Sequence, residues 1–295
     1  MIKRAAVVAL ALALITLGVP LFGSPSRSIA APELIAGRVH ATFQPNSGKI
    51  FVLVIGNDAR AGNPDSARAD AVHIVGINTK TMRGGILNFP RDSWVSIPGY
   101  GTSRINEALI AGGPQRLAQT LERMTGIRID YWVMTGFQGF RGIMKELNGV
   151  RLHIDRRLFD PSGSGVNLHP GTQWLAAETT LAFARTRHSY PGGDVARTTN
   201  QGRVLLALLR KFRDQMSSNP AALMRWISVA RRYTRLNISA GDMFKLGVLA
   251  SQVKAKNVGN VTVPVSVGSA GAASVVFISS GARSIYQRFR EKASL

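Results

Sequence analysis

The sequence predicts an α/β sandwich that follows an apolar N-terminal segment and a linker. Two observations carry the fold class. From Ile50 onward, short apolar runs of strand length alternate with segments of helical composition. The first runs also stop abruptly in charged loops, and in open α/β sheets ligand-binding loops lie at strand ends. A third observation places the domain: Lys3 and Arg4 precede the apolar run 5–22. A basic flank before such a run holds the N-terminus in the cytoplasm and sends the remainder out. About 18 apolar residues is the lower limit for crossing a bilayer. The run is therefore read as a membrane anchor over residues 1–22, with a cleaved signal peptide as the alternative, since "SIA" before Ala31 has the small-x-small form of a cleavage site.

Residues 23–48 carry Pro, Ser and Gly without periodicity and read as a linker. "KIFVLVIG" is a buried strand bounded by Gly. "DAVHIVGIN" and "RGGILNFP" are two more strands, joined by a turn at "TKTM". "PQRLAQTLERMTG" opens on Pro and closes on Gly, the stop signals of a helix. "DYWVMT" is a strand, "FQGFRGIMKELNG" a helix and "VRLHI" a strand. "TQWLAAETTLAFARTR" is helical by composition, and "RTTNQGRVLLALLRKFRDQM" is a longer amphipathic helix. Helix continues over about 219–256, "NVTVPVSV" and "SVVFIS" are strands, and a basic helix ends the chain. The domain core is expected over 49–217, with 218–295 completing it.

The 295 residues are 45% hydrophobic and 18% charged, which suits a globular chain, and the net charge is +21. That excess favours anionic partners; a simple compositional bias toward Arg is the plainer alternative. Without cysteine, a disulfide, a thiolate metal site or a Cys nucleophile is excluded. The chain contains no GxxxxGK[ST], GxSxG or HExxH, so no signature of a nucleotide-binding loop, a serine hydrolase or a zinc peptidase competes.

Four constellations can carry chemistry. In "FVLVIGNDARAGNPDSARAD", Asp58 follows the first strand and Asp70 precedes the second, with Arg60 and Arg68 between them. If the strands are neighbours, the two carboxylates approach each other and repel unless a cation or proton sits between them. Hard oxygen ligands suit Mg²⁺, which commonly takes one or two carboxylates plus substrate phosphate; Asp–Arg salt bridges on a loop are the alternative. In "NFPRDSW", Arg91 can face phosphate oxygens and Asp92 can orient it or another arginine. In "FARTRH", Arg185 and Arg187 converge only if the helix ends there, and "SYPGGD" points to such an end. His188 beside them is either a polar surface group or a base. In "DVARTTNQ", Asp194 reads as a cap of the long helix, and Arg197 and Gln201 share a face near its N-terminus, where anions are favoured. Leu205, Leu206, Leu208 and Leu209 form an apolar stripe, each taken singly as core, together capable of lining a tunnel for a lipid.

In combination these blocks resemble the LytR–CpsA–Psr family of cell-wall glycopolymer ligases. "GNDAR" is similar to the family's G-x-D-x-R and "ARAD" to R-[ST]-D. "NFPRDSWVSIPGYG" is similar to I-P-R-D…I-P-G-Y-G, followed by "RINEA". "MTGIRIDYWVMTGFQGF", "LAAETTLAFARTRH" and "DVARTTNQ" have family counterparts in the same order. Asn200 departs from the pattern, which often has a second arginine there, and Arg104 stands where lysine is common. After about Ser217 the likeness is weak.

The resemblance implies an α-β-α sandwich with a mixed central sheet, facing the cell wall. It implies an extracytoplasmic phosphotransferase that moves an anionic glycopolymer from a polyprenyl-pyrophosphate carrier to a peptidoglycan hydroxyl, at the cytoplasmic membrane, with no nucleic acid as partner. By motif position Asp58 and Asp70 are the metal-associated aspartates, for Mg²⁺ or alternatively Mn²⁺. Arg68, Arg91, Arg185, Arg187, Arg197 and Gln201 face the pyrophosphate, with Arg60, Asp92 and Asp194 in support; Asp58, Asp70 and Arg91 are the candidate catalytic groups. A membrane-tethered transcriptional regulator, a lipid pyrophosphatase and a non-catalytic binder of wall polymer are the alternatives.

Overall fold

The computed structural model describes residues 48–59 and 67–295. The apolar run, nearly all of the linker and Arg60 lie outside the described residues. Among those described, no helix is long and apolar enough to cross a membrane.

Fourteen strands and seven α-helices are described. In chain order they are β1 (Lys49–Asn57), β2 (Ala69–Asn78), β3 (Arg83–Phe89), β4 (Trp94–Ile97), β5 (Gly101–Arg104), α1 (Ala108–Thr125), β6 (Tyr131–Thr135), α2 (Phe137–Glu146), β7 (Val150–Ile154), β8 (Leu158–Asp160), β9 (Val166–Leu168), β10 (Gly171–Leu175), α3 (Ala177–Arg185), α4 (Gly193–Ser218), α5 (Ala222–Tyr233), β11 (Arg235–Leu236), α6 (Ala240–Gln252), β12 (Val258–Thr262), β13 (Val265–Ala270), β14 (Ala273–Ile278) and α7 (Ala282–Lys292).

The central sheet runs β11-β6-β1-β2-β3-β12. Its pairings are both parallel (β1 with β6, β3 with β12) and antiparallel (β1 with β2, β2 with β3, β6 with β11), so it is mixed. The period of two along each strand sorts its residues between two faces. Phe51, Leu53 and Ile55 of β1, Val72 and Ile74 of β2, and Leu87 and Phe89 of β3 join one core, with Leu117 and Leu121 of α1 and Phe289 of α7. Burying each such side chain stabilises the fold by about 1.5–3 kcal/mol. The intervening residues Val54, His73 and Asn88 turn to the opposite face. A second core lies beyond α4, built from Met144, Val150, Leu152, Ile154, Leu175 and Phe183.

Several expectations need correction. Within the stretch expected to be helical, Gly171–Leu175 is a strand paired antiparallel with β7, and the helix begins only at Ala177. Thr172 and Trp174 suit a pleated surface, and a long-range partner at Val150–Ile154 decides the matter. The span 219–256 is not one helix: β11 joins the edge of the sheet between α5 and α6. The hairpins β4–β5 and β8–β9 were not expected at all. α1 is regular only from Pro114, because Gly112 and Gly113 leave helical geometry (Gly113 at φ +66°).

Candidate functional site

The site grows from the ends of β1, β2 and β3. A β-bulge between Gly56 and Asn57 breaks the β1–β2 register. Bulges re-aim side chains, and Asn57, buried here, turns toward the cavity described below. Just past it, the Asp58 carboxylate accepts a hydrogen bond from the Arg68 backbone N–H (3.0 Å), while the Asp58 N–H donates to the Arg68 carbonyl (3.3 Å). The two ends of the β1–β2 loop are thus tied together. The Arg68 guanidinium points outward, 56% exposed and 3.8 Å from Glu107, a carboxylate that sequence reasoning did not single out.

Arg91 is the centre of the cluster. Its Nη1 donates to Asp70 Oδ1 at 2.5 Å, and its Nε lies 3.6 Å from Asp92 and 3.8 Å from Asp194. Burial works against the cation, but Asp70 with Asp92 and Asp194 outweighs it and raises the Arg91 pKa. Asp92 is shared with Arg104, 3.6 Å away. Arg197, 6% exposed, lies 2.5 Å from Asp194. Burial lowers the Arg197 pKa and raises that of Asp194, each opposed by attraction to the other.

Asp194 is not the helix cap. The N-cap of α4 is Gly192, without a side-chain cap, and Asp194 sits in the first turn facing Arg91 and Arg197. Gly192 and Gly193 enter the helix at φ +89° and +45°, a region that glycine adopts without steric cost. The preceding helix α3 ends at Arg185, and Thr186 is extended (ψ 136°). The two arginines flanking it therefore part. Arg185 lies over the Phe137 ring, 5.0 Å from its centroid, while the charge of Arg187 acts on Asp194 and Arg197. His188, 61% exposed, faces the buried Asp160 carboxylate at 3.2 Å. Gln201 donates from its amide nitrogen to the carbonyls of Asp70 and Ala184 (3.4 and 3.3 Å).

Two properties define what this arrangement accepts. First, Arg91 Nε and Arg197 Nε are buried N–H groups without a hydrogen-bond acceptor, while Arg197 Nη2 faces Asp194 Oδ1. Buried donors of this kind require a partner, and aligned guanidinium groups match phosphate oxygens. Second, Asp70, Arg185 and Gln201 also form the rim of a cavity of about 200 Å³ whose remaining walls are mostly apolar, among them Val54, Phe137, Ile143, Leu181, Leu205 and Leu208. Leu205, Leu206, Leu208 and Leu209 are only partly buried, and Leu208 alone of the four packs against the second core. Leu205 and Leu208 line this cavity, and Val204 and Ala207 fill the core instead.

A buried polar network, which none of the four constellations includes, underlies the cluster. His73 Nδ1 meets Asn88 Oδ1 at 2.7 Å, and Asn88 Nδ2 donates to Asn260 Oδ1 at 2.8 Å and to the Val261 carbonyl. Burial lowers the His73 pKa to about 4, against the opposing hydrogen bond with Asn88. Further contacts come from the chain's end: the Val276 N–H donates to the Asp92 carbonyl (3.0 Å) and Arg104 Nη2 to that of Ser274 (2.8 Å). Alternation in "DAVHIVGIN" and "ILNFP" marks His73 and Asn88 as facing away from the first core; that signal could have found them.

Fold and site together define an α/β protein with a mixed central sheet, whose strand ends carry a half-buried arginine–aspartate cluster beside an apolar cavity. The sequence matches the LytR_cpsA_psr family over residues 27–291, and the chain belongs to that family. It is 31% identical to Regulatory protein MsrR of Staphylococcus aureus over 235 residues, 77% of this chain and 69% of the relative. It is 35% identical to the polyisoprenyl-teichoic acid–peptidoglycan teichoic acid transferase TagT of Bacillus subtilis over 202 residues, 66% of this chain and 62% of the relative. A solved structure of TagT bound to LI-WTA superposes with a TM-score of 0.73 at 25% identity, covering 89% of this chain and 99% of that one.

Proposed function

We propose that this protein transfers an anionic glycopolymer from a polyprenyl-pyrophosphate carrier to a hydroxyl of peptidoglycan, outside the cytoplasmic membrane, tethered by residues 1–22. The observation that carries the reading is the pair of buried guanidinium N–H groups without acceptors, Nε of Arg91 and Nε of Arg197, in an ion cluster whose Asp70 also lines an apolar cavity. A pyrophosphate joined to a long hydrocarbon satisfies both at once. The name of TagT, a transferase of polyisoprenyl-linked teichoic acid, agrees with this chemistry.

In the reaction the acceptor oxygen forms a bond to the phosphorus that carries the glycan. The bond from that phosphorus to the bridging oxygen breaks, polyprenyl phosphate leaves, and the acceptor hydroxyl gives up its proton. Negative charge builds on the leaving phosphate. Arg91 and Arg197, held by Asp70 and Asp194, are preorganised to stabilise it, with Arg187 and Arg185 supplying further positive charge. Such transfers rest mainly on positioning and electrostatics and require no covalent nucleophile.

Among the described residues no group of three or more His, Asp or Glu could hold a metal alone. The Asp58 and Asp70 carboxylates nevertheless suit a cation shared with phosphate. Each uses Oδ1 for a protein partner, Asp58 for the Arg68 amide and Asp70 for Arg91. Mg²⁺ is commonly held by one or two carboxylates together with substrate phosphates and waters, and bound there it would neutralise phosphate charge.

The test is incubation of the full chain with lipid-pyrophosphate-linked polymer, a peptidoglycan acceptor and Mg²⁺. Polymer-bearing peptidoglycan and free polyprenyl phosphate are expected, both lost on chelation and restored by Mg²⁺. Release of polyprenyl phosphate without polymer transfer would show a pyrophosphatase instead, and neither product would show a binder. A topology reporter fused after Leu295 is expected to report from outside the membrane; a cytoplasmic signal overturns the placement.

A further inference from the structure

The outer face of the β7–β10 ribbon joins an aromatic ring to positive charge that no carboxylate answers. The register sets Trp174 opposite Arg151 and Thr172 opposite His153. Directly opposed residues of a two-stranded sheet share a face. All four are exposed, while Val150, Leu152, Ile154 and Leu175 on the other face fill the second core. Trp174 is 49% exposed, and Lys211 of α4 holds its Nζ 4.4 Å from the centre of the indole ring. Arg151 and Lys211 form no ion pair among the described residues. Burial and the nearby charge of Arg225 both lower the Lys211 pKa, and Asp214, one turn further along α4, does not oppose them. The other acids of this region are taken: Asp155 pairs with Arg203 at 3.3 Å and Glu146 with Arg232 at 2.9 Å.

This face leads to the arginine cluster. Asp155, just past β7, accepts a hydrogen bond from the Tyr190 hydroxyl (3.2 Å), and the Tyr190 N–H donates to the carbonyl of Arg187 (3.2 Å), whose charge acts on Asp194 and Arg197. At the far end, Lys211 stands fourteen residues beyond Arg197 on the same helix, about 20 Å along its axis.

We infer that this face is an outer subsite for the transferred polymer: an anionic, phosphate-bearing glycan runs from the arginine cluster past Tyr190 and His153, with a sugar ring against the Trp174 indole and phosphate on Lys211 and Arg151. The inference rests on the transfer reading for the identity of the polymer. The chemistry of the face selects among occupants. An indole offers an apolar plane, which suits the apolar face of a sugar ring. Thr172 and His153, joined at 3.2 Å, offer donor and acceptor atoms to hydroxyls. The two cations suit phosphate, and a neutral glycan or an alkyl chain leaves them without counter-charge. A second copy of the chain brings its own +21 and is repelled.

The test uses lipid-free poly(glycerol phosphate) bearing glucose, titrated into the full chain by calorimetry beside neutral dextran and inorganic polyphosphate. The glucosylated polymer is expected to bind more tightly than either. Trp174→Ala is expected to weaken it about tenfold, as for a truncated aromatic anchor. Arg151→Gln with Lys211→Gln is expected to weaken it about as much and to flatten the loss of affinity with added salt. Phe277→Ala, a 37% exposed ring on β14, is expected to leave binding unchanged. Polymer binding that neither set of changes at the ribbon weakens overturns the inference. So does dextran or polyphosphate that binds as tightly as the polymer, since the face then reads sugar or charge alone. The same losses toward a peptidoglycan fragment, in place of the polymer, assign the face to the acceptor and also overturn it. Turnover separates this subsite from the reaction itself: the ribbon variants are expected to raise the KM of a long-polymer donor about tenfold with kcat unchanged, and to leave that of a donor carrying one sugar unit as it is. A chain that binds polymer at the ribbon but transfers none overturns the transfer reading and keeps the subsite, whereas transfer with both KM values unchanged in the variants overturns the subsite and keeps the reaction.

Discussion

The charged cluster and the apolar cavity that meets it at Asp70 are built by opposite means. At the charged end, Asp70, Arg91, Asp194 and Arg197 come from β2, the β3–β4 connection and α4, and each ion is held by a partner distant in sequence or by the first turn of a helix. At the apolar end, the wall is largely the periodic faces of α2 and α4, with no specific polar contact needed among its leucines. Charged groups taken from water require paired geometry, whereas apolar burial is non-directional. The charged end is therefore expected to be intolerant of single changes and the apolar end graded.

Arg91→Ala and Asp58→Ala test the intolerant end. Each is expected to lower transfer by about 100- to 1,000-fold, the usual loss for one preorganised electrostatic group, measured as polymer-bearing peptidoglycan formed per unit time. Full activity in both variants would break the contrast.

His73 tests the floor beneath the cluster. Its ring takes up a proton near pH 6.5 in the unfolded chain and only near about 4 in the folded one. Between those values the unfolded state binds more protons, so stability falls as the pH is lowered through this window, by about 3 kcal/mol in total. Denaturant titrations from pH 7 to 4 measure the slope. His73→Leu is expected to flatten this part of it, and an unchanged slope would remove His73 as its source.

The graded end is probed by Leu205→Trp, which fills part of the cavity. The KM for a long-chain polyprenyl substrate is expected to rise about tenfold, in keeping with overpacking costs of about 1–3 kcal/mol, while that for a short-chain analogue stays within about threefold. Equal effects on both would show that the cavity does not hold the chain.

The smallest effect belongs to the exposed pair. Glu107→Gln, removing the partner 3.8 Å from the 56% exposed Arg68, is expected to change unfolding stability by less than about 1 kcal/mol in a thermal melt. A larger loss would mean that Arg68 belongs with the buried set.

Much of this was legible in the residues. The strands β1, β2, β3, β6 and β7 are apolar runs closed by Gly, Pro or charge, and Pro114 and Gly126 mark the regular part of α1. Arg91, Arg197 and Gln201 could be proposed from position at a strand end and a helix start. Asp194 could not be placed correctly, since capping and ion pairing use the same residue type at neighbouring positions and only the location of Arg91 distinguishes them. The part played by residues after Ser217 was also invisible: β12 pairs with β3, Asn260 meets Asn88, and Val276 and Ser274 brace Asp92 and Arg104.

The sequence by itself determined which segments alternate and where charge interrupts them, because propensity, periodicity and turn chemistry act over a few neighbouring residues. Only the tertiary structure decided which carboxylate meets which guanidinium, that Leu205 and Leu208 line a void, and that Gly171–Leu175 is a strand. Those outcomes depend on partners tens to hundreds of positions away, whose approach is set by the packing of the whole sheet and its helices.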